Sequence, residues 1–175
     1  MDSKPAINTG PTTLLVLPTQ LYKVPNIKKF IRPDKIILWE HPHYFKKYNY
    51  NKKKLLLHRA SMKYYFDYLV KKRFNVDYIE FRNKPTIPRT HNSYMFDPVD
   101  RIKLGVKINN FIESPNFLLT TEEYKDYRKK TDKFIFNNFY MWGKKIVDII
   151  PSVKSKDKFN REKMPKNIVV PKLPK

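Results

Sequence analysis

The chain has 175 residues, a length that suits one domain, and it contains no cysteine and only three glycines. These counts exclude disulfides, thiolate zinc sites and cysteine-ligated iron–sulfur clusters within this chain, and they exclude the two common glycine-rich phosphate loops. The net charge of +21 favours a polyanionic partner such as DNA or RNA. An AT-rich coding sequence explains part of this charge, because 29 of the 37 basic residues are lysine.

The first half of the chain predicts an arm, two strands and a helix. Residues 1–12 are polar and read as a flexible arm, and the short apolar runs Thr13–Leu17 and Lys35–Glu40 are typical of strands buried on both faces. A helix is predicted from Lys52 to Arg73, because apolar side chains recur there at steps of three and four residues. This stripe consists of Leu55, His58, Met62, Tyr65, Phe66 and Leu69.

The second half predicts further strands and helices. Strands are expected at Val76–Phe81 and Ser93–Asp97, a short helix at Arg101–Asn110 and a fifth apolar run at Phe117–Leu119. Thr120 or Thr121 then caps a helix with Glu122 and Glu123 in its first turn. That helix is expected to run to about Asn138 and to resume through Trp142 to Ile149, and residues 151–175 are predicted to form an extended basic tail.

The alternation of strands and helices predicts an α/β fold with a Rossmann-like, mostly parallel sheet of about five strands over residues 13–150. Ligands of such sheets bind beyond the carboxyl ends of the strands. This geometry nominates the residues that follow the first three strands, which are Thr19, Gln20, Glu40, His41 and Arg82. No leader or membrane span is recognised in the sequence, so a soluble intracellular protein is expected.

Seven short segments, in order along the chain, resemble one protein family. They are Leu17–Leu21, Leu38–Pro42, Lys54–Tyr65, Phe96–Arg101, Glu113–Leu118, Asn138–Trp142 and Asp157–Arg161 with Met164-Pro165. Together they resemble the amino-terminal region of the cryptochrome/deoxyribodipyrimidine photolyase-related proteins, a family that includes the iron–sulfur bacterial photolyases. Two departures are Ser155–Phe159, where the family has a glycine-rich approach, and Thr19, where many relatives carry Asp.

The resemblance implies a module of a light-dependent DNA repair flavoprotein. In that family the α/β domain packs on a helical domain that carries FAD, the iron–sulfur cysteines and the lesion pocket. The chain is expected to end before that domain, so it would be truncated and inactive alone, without FAD or cluster, and its partner would be a separately encoded helical chain. The family's α/β domain can hold a lumazine-type antenna chromophore, for which Gln20 and Glu40 occupy the matching positions.

Two other interpretations stay open. The chain could be a basic protein that binds nucleic acid through charge, with Lys52, Lys53, Lys54 and Arg59 as the nominated contacts, or a gene remnant without activity. No catalytic or metal-binding residues are predicted. His41 and His43 fit a turn after a strand better than a metal site, and His58 fits a hydrogen-bonded core histidine better than a catalytic base.

Overall fold

The structure, a computed structural model, describes residues 10–147 together with Lys163 and Asn167. The chain divides into two units, residues 1–121 and residues 122–175. Most of the predicted arm, the predicted helix end at Ile149 and the predicted boundary at residue 150 lie outside the described residues, as does all of the predicted tail except Lys163 and Asn167.

The first unit is built on a sheet of five strands, all parallel, which confirms the predicted α/β fold. The strand order is β3-β2-β1-β4-β5, so the first strand lies at the centre. In the strand register, Leu14 of the first strand pairs with Ile36 of the second strand on one side and with Tyr94 of the fourth strand on the other. The strands are β1 (Thr12–Val16), β2 (Lys35–Trp39), β3 (Val76–Ile79), β4 (Asn92–Phe96) and β5 (Asn110–Ile112).

From residue 10 onward, the first unit has three helices beside this sheet, and two of them begin with a side-chain cap. They are α1 (Val24–Lys28), α2 (Pro42–Lys46) and α3 (Lys52–Lys71). The His41 ring accepts a hydrogen bond from the His43 backbone N–H at the start of α2, and the Asn51 side chain accepts one from the Lys53 N–H at the start of α3. His41–His43 therefore forms the start of a helix, where the sequence predicts a turn.

The core lies on both faces of the sheet, because alternate residues of the central strand point in opposite directions. Leu14 and Val16 face α1 and α3, while Leu15 and Leu17 face the opposite layer. The helix α3 buries Met62, Tyr65 and Leu69 against the first face, as its apolar stripe predicts.

The second face is covered by extended chain where a helix was predicted. Residues 101–109 contain no helix, and Ile102, Leu104, Val106 and Ile108 are half-buried against this face while their neighbours are exposed. The predicted helix at Arg101–Asn110 is therefore wrong. The fifth strand lies at Asn110–Ile112, and the predicted fifth apolar run at Phe117–Leu119 lies in irregular chain after it.

The second unit, in its described part, contains α4 (Thr121–Lys129) except for its first residue, and α5 (Phe136–Val147). The acidic first turn of α4 is confirmed, but the helix ends nine residues before the predicted Asn138. The Thr131 hydroxyl donates to the Tyr127 carbonyl just beyond this end. The ring of Tyr127 lies 4.6 Å from that of Trp142, centre to centre, and joins the two helices. None of the helices in the described residues combines the length and apolar character needed to span a membrane.

Candidate functional site

The strand order reverses beside β1, which makes its carboxyl end the geometric candidate for a ligand site. From β1 the chain builds β2 and β3 on one side and later β4 and β5 on the other. Parallel sheets of this kind bind ligands in the crevice outside the strand ends at such a reversal. The residues that follow β1, β2 and β4 are therefore the candidates for this site.

Gln20 is a buried residue that lies between the carboxyl ends of β1 and β4. Its side chain is 2 % exposed. The amide Nε2 donates to the Phe96 carbonyl at 2.6 Å, and Oε1 accepts from the Leu17 N–H at 3.2 Å. Gln20 thus ties the last residue of β4 to the residue that follows β1 and satisfies one backbone group of each.

Glu40 lies at the end of β2 with no exposed surface, and four hydrogen bonds hold its carboxylate. Arg59 of α3 donates from Nε at 2.8 Å to Oε1 and from its second terminal nitrogen at 2.6 Å to Oε2. The Tyr78 hydroxyl donates to Oε1 at 2.5 Å, and the Phe81 N–H donates to Oε2 at 3.2 Å. One carboxylate therefore joins α3, β3 and the loop after β3.

These contacts decide the charge state of Glu40. Burial by itself raises the pKa of this carboxyl, but the hydrogen bonds from Arg59, Tyr78 and Phe81 and the positive charge of Arg59 outweigh it, so the pKa lies below its usual value. Arg59 is nominated from the sequence as a nucleic-acid contact. The structure places its guanidinium on Glu40, so its charge is compensated within the protein.

A second polar chain crosses the reversal point and connects three strand ends. The Tyr44 hydroxyl donates to Asp100 Oδ2 at 3.0 Å and lies 3.1 Å from Thr19 Oγ1. Burial, together with Asp100, raises the pKa of Tyr44 to about 12, against a smaller opposing effect from Thr19. Thr19 and Asp100 are exposed. The sequence analysis does not nominate Tyr44. The usable signal was its position two residues after Pro42, close to the end of a predicted strand.

His41 and His58, which lie near this edge, pack against aromatic rings. The ring of His41 lies 4.3 Å from that of Trp39, its Nε2 lies 3.4 Å from the Leu104 carbonyl, and burial lowers its pKa. His58 lies 6.2 Å from each of the rings of Tyr44 and Phe45, and burial, helped by the charge of Lys54, lowers its pKa. Within residues 10–147, no three His, Asp or Glu side chains gather as they would around a metal ion.

The three nominated lysines Lys52, Lys53 and Lys54 begin α3 and are exposed. Residues 46–54, which include these lysines, contain five lysines and two tyrosines. Lys47 Nζ lies 5.0 Å from the centre of the Tyr48 ring, and Lys54 Nζ lies 4.5 Å from that of Tyr50. We call residues 46–54 the lysine–tyrosine segment.

Comparison with known proteins gives two matches. The model of one family, described as deoxyribodipyrimidine photo-lyase-related protein, matches residues 14–175. Among curated proteins, the uncharacterized protein R852 of Acanthamoeba polyphaga mimivirus is 30 % identical, over 89 % of this chain and 96 % of the viral one.

Proposed function

The chain belongs to the family of deoxyribodipyrimidine photo-lyase-related proteins, and we propose that it serves as the antenna-type α/β module of a light-dependent DNA repair system. In this role it holds a pigment of the lumazine type and contacts a separately encoded helical chain that carries the flavin.

The observation that carries the proposal is the polar arrangement at the carboxyl edge of the sheet. Thr19, Tyr44 and Asp100 meet where the strand order reverses, and the internal hydrogen bonds of Gln20 and Glu40 fix the loops on either side. A pigment with a ribityl chain offers hydroxyl groups. The exposed Thr19 hydroxyl and Asp100 carboxylate can bind such groups without losing their place in the fold.

Gln20 and Glu40 act in this proposal by positioning. Both side chains are buried, and their hydrogen bonds are made within the protein. Gln20 fixes the path of the loop that carries Thr19, and Glu40 fixes the positions of the Arg59 side chain and the Phe81 backbone. The contact with the pigment then falls to the exposed groups around them.

The test is a titration of the purified chain with a ribityl-lumazine, followed by fluorescence anisotropy. We expect saturable binding that weakens about tenfold in Asp100→Ala, the loss of one hydrogen bond to a charged group. Asp97→Ala is the matched control, since Asp97 is an exposed carboxylate three residues earlier and lies outside the Tyr44 chain. Absence of saturable binding, or an equal loss in both variants, would contradict the pigment site.

A second function, binding of single-stranded nucleic acid, is favoured by the lysine–tyrosine segment. Between Glu40 and Asp67 the sequence has no acidic residue, so the charge of the segment is not neutralised locally. The Tyr48 ring is 61 % exposed. Exposed rings stack on bases while lysines contact phosphates, and this combination binds single strands with little sequence preference.

This second function is tested with a single-stranded oligonucleotide and two charge-matched double variants. Lys52→Gln with Lys53→Gln removes two charges from the segment, and Lys71→Gln with Lys72→Gln removes two exposed charges from the other end of α3. We expect the first pair to weaken binding several-fold more than the second. Equal effects would assign the binding to overall charge and not to this segment.

A further inference from the structure

A cavity lies at the amino edge of the sheet, the edge opposite the site described above. Its volume is about 440 Å³, and it lies between the loop before β4 and the extended segment before β5. The residues that line it are Ile87, Pro88, Arg89, His91, Ser93, Lys107 and Asn109.

The permanently charged side chains that line the cavity are all positive. It contains two permanent cations, Arg89 and Lys107, a histidine and two neutral polar side chains, and no carboxylate. Ile87 and Pro88 supply an apolar wall. An anion with an attached organic group suits this combination better than a bare ion or an apolar ligand.

Hydrogen bonds within the fold fix two of the polar groups. His91 Nδ1 lies 2.7 Å from Thr13 Oγ1 in β1, which orients the ring and leaves Nε2 as the nitrogen available to a ligand. The Ser93 hydroxyl oxygen accepts from the Asn109 N–H at 2.9 Å, so the hydroxyl hydrogen is available to donate. The site is thus anchored to β1 and β4 and does not depend on loop side chains alone.

From this cavity we infer a binding site for a phosphate monoester of about mononucleotide size. Arg89 and Lys107 bind the phosphate oxygens, the Ser93 hydroxyl donates a further hydrogen bond, and the base or other flat group lies against Ile87 and Pro88. The volume exceeds the need of free phosphate and lies within the range of small-ligand pockets. The inference is independent of the proposed pigment site, which lies at the other edge.

The experiment is a calorimetric titration of the full chain with adenosine monophosphate at low ionic strength. We expect saturable binding with one site, weakened about tenfold or more by Arg89→Gln and by Lys107→Gln. Lys103→Gln is the control, because Lys103 is exposed on the same extended segment and does not line the cavity. Circular dichroism and a thermal melt confirm that each variant is folded.

The source of the phosphate is decided by a second pair of probes. Oligonucleotides with and without a 5′-phosphate are titrated beside the mononucleotide. A preference of about tenfold for the phosphorylated strand assigns the site to nucleic-acid ends, and mononucleotide binding without that preference assigns it to a small ligand. The inference is overturned when no phosphate compound binds, or when Lys103→Gln weakens binding as much as Lys107→Gln.

Discussion

Glu40 is a fully buried carboxylate that lies at the carboxyl edge of the sheet. A buried carboxylate is unfavourable unless opposite charge and hydrogen bonds surround it. Here Arg59, Tyr78 and the Phe81 N–H supply both. The sequence identifies Glu40 by its place at the end of a strand, but its partners come from α3 and β3, so only the fold reveals that the carboxylate is already occupied.

The first prediction at this scale concerns Glu40→Gln. The substitution removes the charge that Arg59 and Tyr78 bind, and we expect the free energy of unfolding at pH 7 to fall by about 2–3 kcal/mol. Urea unfolding followed by circular dichroism measures it. The control Glu80→Gln changes an exposed carboxylate nearby and should alter the free energy by less than about 0.5 kcal/mol.

The dependence on pH has a definite sign. The pKa of Glu40 in the folded protein lies below its ordinary value of 4.5, so its contribution to stability is fully present above that pH and is lost as the pH falls through the folded pKa. The gap between the wild-type chain and Glu40→Gln should therefore close in acid. A gap that stays constant from pH 7 to pH 3 would show that the carboxylate charge contributes nothing.

Among the elements, α3 and the segment at residues 101–109 show where a sequence pattern is reliable. The stripe of α3 is long, and its period leaves only a helix as the explanation, so Met62, Tyr65 and Leu69 are buried as predicted. The segment before β5 alternates apolar and exposed residues with a period of two, from Ile102 to Ile108. That period is typical of extended chain and not of the helix predicted at Arg101–Asn110.

Gly105 provides the prediction for this segment. Its φ is +69°, a left-handed conformation that a side chain disfavours, although an added Cβ would meet only the flexible end of Lys84 at 3.8 Å. We expect Gly105→Ala to lower the free energy of unfolding by about 1 kcal/mol. In a helix the same substitution would raise it by about as much, so the sign of the change in a urea titration distinguishes the two structures.

The sequence pattern also does not predict where α4 ends. The helix that starts at Thr120 or Thr121 is predicted to run to about Asn138, yet α4 ends at Lys129 and α5 begins at Phe136. The Thr131 hydroxyl bonds back to the Tyr127 carbonyl at this break. Threonine competes with the helix for backbone groups, so a local side-chain bond can end a helix that propensity alone continues.

For the molecule as a whole, the family match confirms the resemblance found in seven separated segments, and the parallel sheet confirms the predicted fold class. The antenna role, the partner chain and the nucleic-acid contacts stay predictions. The net charge of +21 is a property of the entire chain and exerts a field on any polyanion, whichever surface makes the contact.

Salt dependence separates the overall field from a local contact. For single strands the logarithm of the binding constant falls with the logarithm of salt concentration by about 0.7 for each phosphate neutralised. Lys52→Gln with Lys53→Gln should reduce this slope by about 1.4 if both lysines contact phosphates. An unchanged slope in a filter-binding series at several salt concentrations would place the contacts elsewhere.

By itself the sequence determined the fold class, the buried strands and the face of the long helix, because hydrophobic periodicity is a local property that each segment carries alone. It also placed Gln20 and Glu40 at the ends of strands. Only the tertiary structure decided what these side chains do and which loops form a cavity at the amino edge. Such partners lie tens of residues apart in the chain, as Glu40 and Tyr78 do, so that the sheet order and not the local pattern brings them together.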